Sequence, residues 1–177
     1  DLELIFAPTF FVDHGFSSPP GHGFTLGAVL LRPESRGSIT LQDPNPTTAP
    51  SIKANYLAAG GDLERLVLGL EACRTIAAAP PLGPWRGTEE LPGAAVTSVE
   101  GLAHHVRTTG QTLYHPVGTC AMGHGLDSVV SATLAVHGVE RLSVVDASVM
   151  PTIISGHTNA PTIMIAERAA EWIANRA

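Results

Sequence analysis

The spacing of apolar positions along the chain changes several times, and each change predicts an element. Residues 5–12 are mostly apolar, residues 14–23 form a Gly/Pro/Ser/His loop, and residues 24–31 read as a buried strand. Ser38-Ile39-Thr40-Leu41-Gln42 alternates polar and apolar side chains, the period of a half-buried antiparallel strand. Asp43-Pro44-Asn45-Pro46 then stops it with turn chemistry. From Asp62 the period becomes helical, with Leu63, Leu66, Val67 and Leu70 on one face, and this helix must fail before Pro80-Pro81. A Pro/Gly-rich loop carrying Trp85 follows. Thr97 and Glu100 then have capping-box spacing for a second helix that runs to about Arg107.

Beyond Thr109 the apolar runs shorten. Leu134-Ala135-Val136 and Leu142-Ser143-Val144-Val145 predict two short strands around a His137-Gly138 turn, the second ended by Asp146. Ile165, Ala169, Trp172 and Ile173 recover helical spacing, with Pro161 placed to be the first helical residue. Alternating strands, separate helices and long loops, without repeats or low-complexity tracts, predict an α+β fold: an antiparallel sheet with packed helices.

Composition narrows the function classes. Of 177 residues, 44% are hydrophobic and 15% charged, enough apolar material for a core and too little charge for a disordered chain. Ten basic against sixteen acidic side chains leave a net charge of −6, so no basic excess exists to engage nucleic acid. Cys73 and Cys120 are too few for a disulfide scaffold, and neither C-x-x-C nor H-E-x-x-H spacing occurs to hold zinc, so no metal site is expected. No Gly-x-Ser-x-Gly elbow occurs, which disfavours a serine hydrolase. Gly21-His22-Gly23 with Gly27 only imitates a dinucleotide loop, because it leads into a strand and its last spacing is wrong. No apolar run approaches the roughly 20 residues that span a bilayer. The opening Asp1-Leu2-Glu3-Leu4 carries neither an initiator Met nor a basic signal-peptide head, so the expectation is a chain that starts inside a longer one.

Eight histidines stand out, because imidazole exchanges protons near neutral pH. His14, His22 and His124 lie in Gly-rich loops and read as solvated, and His137 reads as a turn residue. His104 and His105 are adjacent on a predicted helix and point in different directions. His115 and His157 have more suggestive surroundings. Pro116 restricts the backbone that aims the His115 ring, while Gly118 and Gly123 permit close backbone approach. His157 directly precedes the last helix, whose free N–H groups suit an anion or electron-rich ring, although capping and core packing would explain it equally well. A nucleophilic pair of Cys120 with His115 lacks an activating charge nearby.

Five blocks carry a family resemblance. They are Arg32-Pro33-Glu34-Ser35-Arg36-Gly37; Asp43-Pro44 through Asn55-Tyr56-Leu57; Tyr114-His115-Pro116-Val117-Gly118-Thr119-Cys120-Ala121-Met122-Gly123; Val144-Val145-Asp146-Ala147-Ser148-Val149-Met150-Pro151; and Asn159-Ala160-Pro161-Thr162-Ile163-Met164-Ile165-Ala166-Glu167. In order and spacing the chain resembles the C-terminal part of the glucose-methanol-choline (GMC) family of FAD-dependent alcohol oxidoreductases, with choline-dehydrogenase-like surroundings. The resemblance implies a substrate-binding domain over residues 1–110. It also implies a segment over residues 111–177 that returns to complete the FAD domain. By the same resemblance His115 is the catalytic base for a primary or secondary alcohol whose hydride passes to flavin N5. An imidazole, with an ordinary pKa of about 6.5, suits that proton transfer.

His157 matches a second position, held by His or Asn, that binds the substrate oxygen. Histidine there resembles the aryl-alcohol oxidase pattern rather than the choline dehydrogenase one. Asp146 and Ala147 match a contact to the ribityl-pyrophosphate of FAD, and Asn159, Ala160 and Pro161 match the backbone at the flavin's pyrimidine edge. FAD binding would also need an N-terminal Rossmann-type half, the implied partner, which this sequence does not contain. Substrate contacts are expected from variable loops, including residues 14–23 and 80–92. The expected compartment is the cytoplasm. An inactive fragment, or a redox-silent relative like the hydroxynitrile lyases that share the fold, stands as the alternative.

Overall fold

The computed structural model describes residues 1–17 and 19–175, so Ser18 of the predicted first loop and Arg176 and Ala177 lie outside the described residues. Strands β1 (Leu2–Ala7), β2 (Thr25–Leu30), β3 (Ser38–Thr40) and β4 (Ser51–Lys53) and helices α1 (Gly60–Ala77), α2 (Val99–Thr109) and α3 (Asn159–Ala174) form an α+β fold with two small antiparallel sheets. The chain divides into two compact units, residues 1–37 with 54–111 and residues 38–53 with 112–177.

In the first unit β1 pairs with β2 in antiparallel register, Leu2 opposite Leu30 and Ile5 opposite Gly27. Gly69 lies at the contact of α1 with β2, where an added Cβ would meet the Ala28 Cβ at 2.5 Å. Only glycine allows that approach. The predicted apolar face of α1 is real: Val67 is buried with Leu102 and Val106 of α2, and Leu63, Leu66 and Leu70 pack around them. Burial of such aliphatic side chains contributes roughly 1.5–3 kcal/mol each. α1 ends before Pro80-Pro81, with the Ala78 amide donating to the Arg74 carbonyl at 2.9 Å. β2 is partly buried along its length rather than fully buried, because it belongs to a two-stranded sheet.

The start of α2 differs from expectation by one residue. Ser98, not Thr97, is the N-cap, its Oγ accepting from the Gly101 amide at 3.1 Å. Ser98 thereby satisfies one of the amides that a helix start leaves unpaired.

The second unit is built around Val130, Leu134, Val149 and Ala169, with Met122, Val136, Val144, Val145, Ile165 and Trp172 packed against them. The expected strands at 134–136 and 142–145 reduce to isolated bridges, Ala135 to Ser143 and Val130 to Val136, because the chain turns away after each pairing. β3 and β4 pair as Ile39 opposite Ile52, but every residue of β3 is exposed, so this strand is not half-buried as its alternation predicts. A pair of three-residue strands is too small to bury a face by itself. In α3, Ile165, Ala169 and Trp172 face the core as predicted, whereas Ile173 is 52% exposed. Pro161 is the third helical residue rather than the first, still within the turn whose amides have no intrahelical partner. No described helix is long and apolar enough to cross a membrane.

Candidate active site

The two histidines singled out by sequence meet within the second unit. His115 Nε2 lies 2.9 Å from His157 Nδ1, 42 positions further along the chain, and the rings stand edge-to-face with centroids 5.1 Å apart. Local backbone places each one. Tyr114 has a left-handed φ of 61°, and the following His115-Pro116 dipeptide leads to Gly118 at φ 89°. Gly118 and Cys120 donate to the Ser148 carbonyl at 3.0 and 3.1 Å, and Met122 donates to the Val149 carbonyl at 2.8 Å. These bonds fasten the histidine block along the segment that carries Asp146 and Ala147.

Asp146 is exposed and caps a short 3₁₀ turn (Ala147–Val149), its Oδ1 accepting from the Ser148 amide at 2.8 Å and the Ser148 hydroxyl at 2.5 Å. Ala147 is half-buried. Asn159, Ala160 and Pro161 open α3 two residues after His157, with Asn159 and Ala160 exposed. All seven residues expected at the site therefore lie in one unit, on segments joined by the histidine pair or by backbone hydrogen bonds.

One participant was not foreseen. Thr158, only 6% exposed, places Oγ1 2.8 Å from His115 Nδ1. Both ring nitrogens of His115 are thus engaged, one by a hydroxyl and one by a second imidazole. From sequence, the last helix is expected to begin at Pro161, and no local signal points Thr158 at a side chain 43 positions away. Cys120 is half-buried with its backbone in the Ser148 contact, and Cys73 is buried in the other unit. Among the described residues no group of three potential ligands gathers to hold a metal ion.

A family model described as GMC oxidoreductase matches residues 33–166, most of the chain and both histidines. The chain belongs to the GMC oxidoreductase family. It is 44% identical over 176 residues to an alcohol dehydrogenase [acceptor] of Pseudomonas putida, covering 99% of this chain and 32% of that protein. The fold is similar to that of pyridoxine 4-oxidase from Mesorbium loti, with a TM-score of 0.83 at 35% identity over 93% of this chain and 32% of that one. An FAD-dependent oxidoreductase from Chaetomium thermophilum gives a TM-score of 0.80 at 30% identity, covering 88% of this chain and 27% of that one. The chain thus spans about a third of the length of these GMC relatives.

Proposed function

We propose that this chain supplies the proton-handling residues of an FAD-dependent alcohol oxidoreductase, with His115 as base and His157 as the partner that holds the substrate oxygen. The observation that carries this reading is the contact of His115 Nε2 with His157 Nδ1, two imidazoles converging at the head of a helix. A primary or secondary alcohol whose hydroxyl replaces that contact would find one nitrogen to take its proton and a second group to orient its oxygen. Residues 1–110 would then serve substrate binding and residues 111–177 the flavin side.

The residues present fit FAD. The head of α3 has no side-chain cap and exposes Asn159 and Ala160, so its amide dipoles are open to a ring that gains negative charge. Asn159, Ala160 and Pro161 would line the pyrimidine edge, and exposed Asp146 with Ala147 would meet the ribityl-pyrophosphate. When bound, FAD supplies the hydride acceptor. The chain's own residues take the hydroxyl proton at His115 Nε2 and hold the alcohol oxygen at His157. The rest of the same enzyme, including a dinucleotide-binding half, is the partner this reading requires.

The test uses the whole gene product loaded with FAD. Anaerobic addition of alcohols should bleach the flavin band, and His115→Ala should slow that bleaching by roughly 10²–10⁴-fold. Bleaching by no alcohol would favour a redox-silent relative, and an unchanged rate in His115→Ala would remove His115 from the role of base.

A further inference from the structure

Thr158 occupies the N-cap position of α3 without acting as a cap. Its backbone is already helical, at φ −82° and ψ −10°, whereas a capping residue is extended so that its side-chain oxygen reaches the amide two or three residues on. One of those two amides is also missing, because the residue three positions later is Pro161, which has no N–H. The helix start is held by the main chain instead: the Thr158 carbonyl accepts from the Thr162 amide at 3.0 Å and from the Thr162 hydroxyl at 2.6 Å. The Thr158 hydroxyl is directed at His115 Nδ1, 2.8 Å away.

We propose that Thr158 is a positioning residue that keeps the His115 proton on Nδ1, so that Nε2 is the bare nitrogen presented to His157 and to an alcohol. This rests on the reading of His115 as the base. A neutral imidazole carries one N–H and one acceptor nitrogen, and a hydroxyl can serve either, donating to the bare nitrogen or accepting from the N–H. For Nε2 to accept a proton, Nδ1 must carry the hydrogen and donate it, and Thr158 Oγ1 is the acceptor within reach.

After Nε2 has taken the hydroxyl proton, both nitrogens of His115 donate. A hydroxyl keeps lone pairs for Nδ1–H throughout, so this hydrogen bond survives the transfer and favours the charged ring. No bond to Thr158 forms or breaks. The alcohol proton ends on Nε2, and the proton on Nδ1 stays where it began. The burial of Thr158 keeps water from competing strongly for that acceptor.

The experiment compares Thr158→Val, which keeps the shape and removes the hydroxyl, with Thr158→Ser, which keeps the hydroxyl and removes the methyl. Both are made in the whole gene product with ¹⁵N-labelled histidine, and His115→Ala identifies the His115 resonances. In the unsubstituted protein and in Thr158→Ser, the ¹⁵N spectrum should show His115 with its hydrogen on Nδ1. In Thr158→Val a share of that population should move to Nε2–H. Flavin reduction by alcohol should fall about threefold to tenfold in Thr158→Val, the weight of one hydrogen bond, and stay within about twofold in Thr158→Ser.

Unchanged His115 tautomer signals in Thr158→Val would overturn the proposal. So would a Thr158→Ser protein altered as much as Thr158→Val, because the methyl's packing would then be what matters. If the tautomer shifts in Thr158→Val while His115→Ala reduces flavin at the normal rate, the base assignment fails and the positioning of the ring by Thr158 stands.

Discussion

Asp62 offers a sharp test of how the first unit holds together, because a carboxylate only 1% exposed is unusual and must be fully engaged. Its Oδ1 accepts from the Glu34 amide at 2.8 Å, and its Oδ2 accepts from the Ser35 amide at 2.8 Å and the Ser35 hydroxyl at 2.6 Å. Arg65 closes the set at 2.8 Å and also reaches the carboxylates of Asp1 and Glu34. The Ser35 hydroxyl in turn accepts from the Ala59 amide at 3.0 Å, so one acidic side chain ties the loop after β2 to the start of α1.

Asp62→Ala strands two backbone amides and a hydroxyl. Each hydrogen bond to a charged acceptor is worth about 1.5–3 kcal/mol. The three share one acceptor and do not add, so the expected loss is about 2–4 kcal/mol for this corner. Amide hydrogen exchange in a peptide spanning residues 33–36 reads it directly. Protection of the Glu34 and Ser35 amides should drop by about 30-fold or more, since 1.4 kcal/mol is a factor of ten. Glu34→Gln changes a carboxylate that is 66% exposed and should leave those amides within about threefold. Exchange in Asp62→Ala that matches the unsubstituted protein would refute the assignment of Asp62 as the tie.

Acid should mimic that substitution. Burial pushes the Asp62 carboxyl up, but the Glu34 amide, the Ser35 hydroxyl and amide, and the charge of Arg65 together hold it below 3.8. A carboxyl lowered on folding contributes its full stability above pH 3.8 and loses it as pH falls through the lowered value, so protection at Glu34 and Ser35 should weaken below that pH. Gly69→Ala should destabilise the first unit by about 1–2 kcal/mol, the overpacking against Ala28 exceeding the helix-propensity gain of about 1 kcal/mol. Adding Ala28→Gly should recover most of that loss in denaturant titrations. Burial raises the Cys73 thiol above 9.0, so iodoacetamide at pH 8 should leave Cys73 unlabelled in the native protein and label it after denaturation.

Much of this protein is legible in its sequence because the relevant physics is local. The 3.6-residue period of Leu63, Leu66, Val67 and Leu70 marks the inward face of α1, and Pro80-Pro81 marks its end, whatever packs against it. His115 and His157 are legible as candidates because Pro116, Gly118 and the following helix constrain the backbone around each one, and the five motif blocks identify the family. Tertiary structure decided what depends on distant partners. Whether residues 134–136 and 142–145 extend into strands depends on where the chain turns after each bridge, and the hydrophobic pattern of four residues cannot encode that. The burial of Asp62 depends on Glu34 and Ser35, 28 and 27 positions earlier. The role of Thr158 is the clearest case. With Pro161 expected as the first helical residue, nothing in the sequence marks Thr158, and only the fold brings His115 within 2.8 Å of its hydroxyl. A side chain's local preference is written in its neighbours, but its hydrogen-bond partner is set by which segments the core brings together.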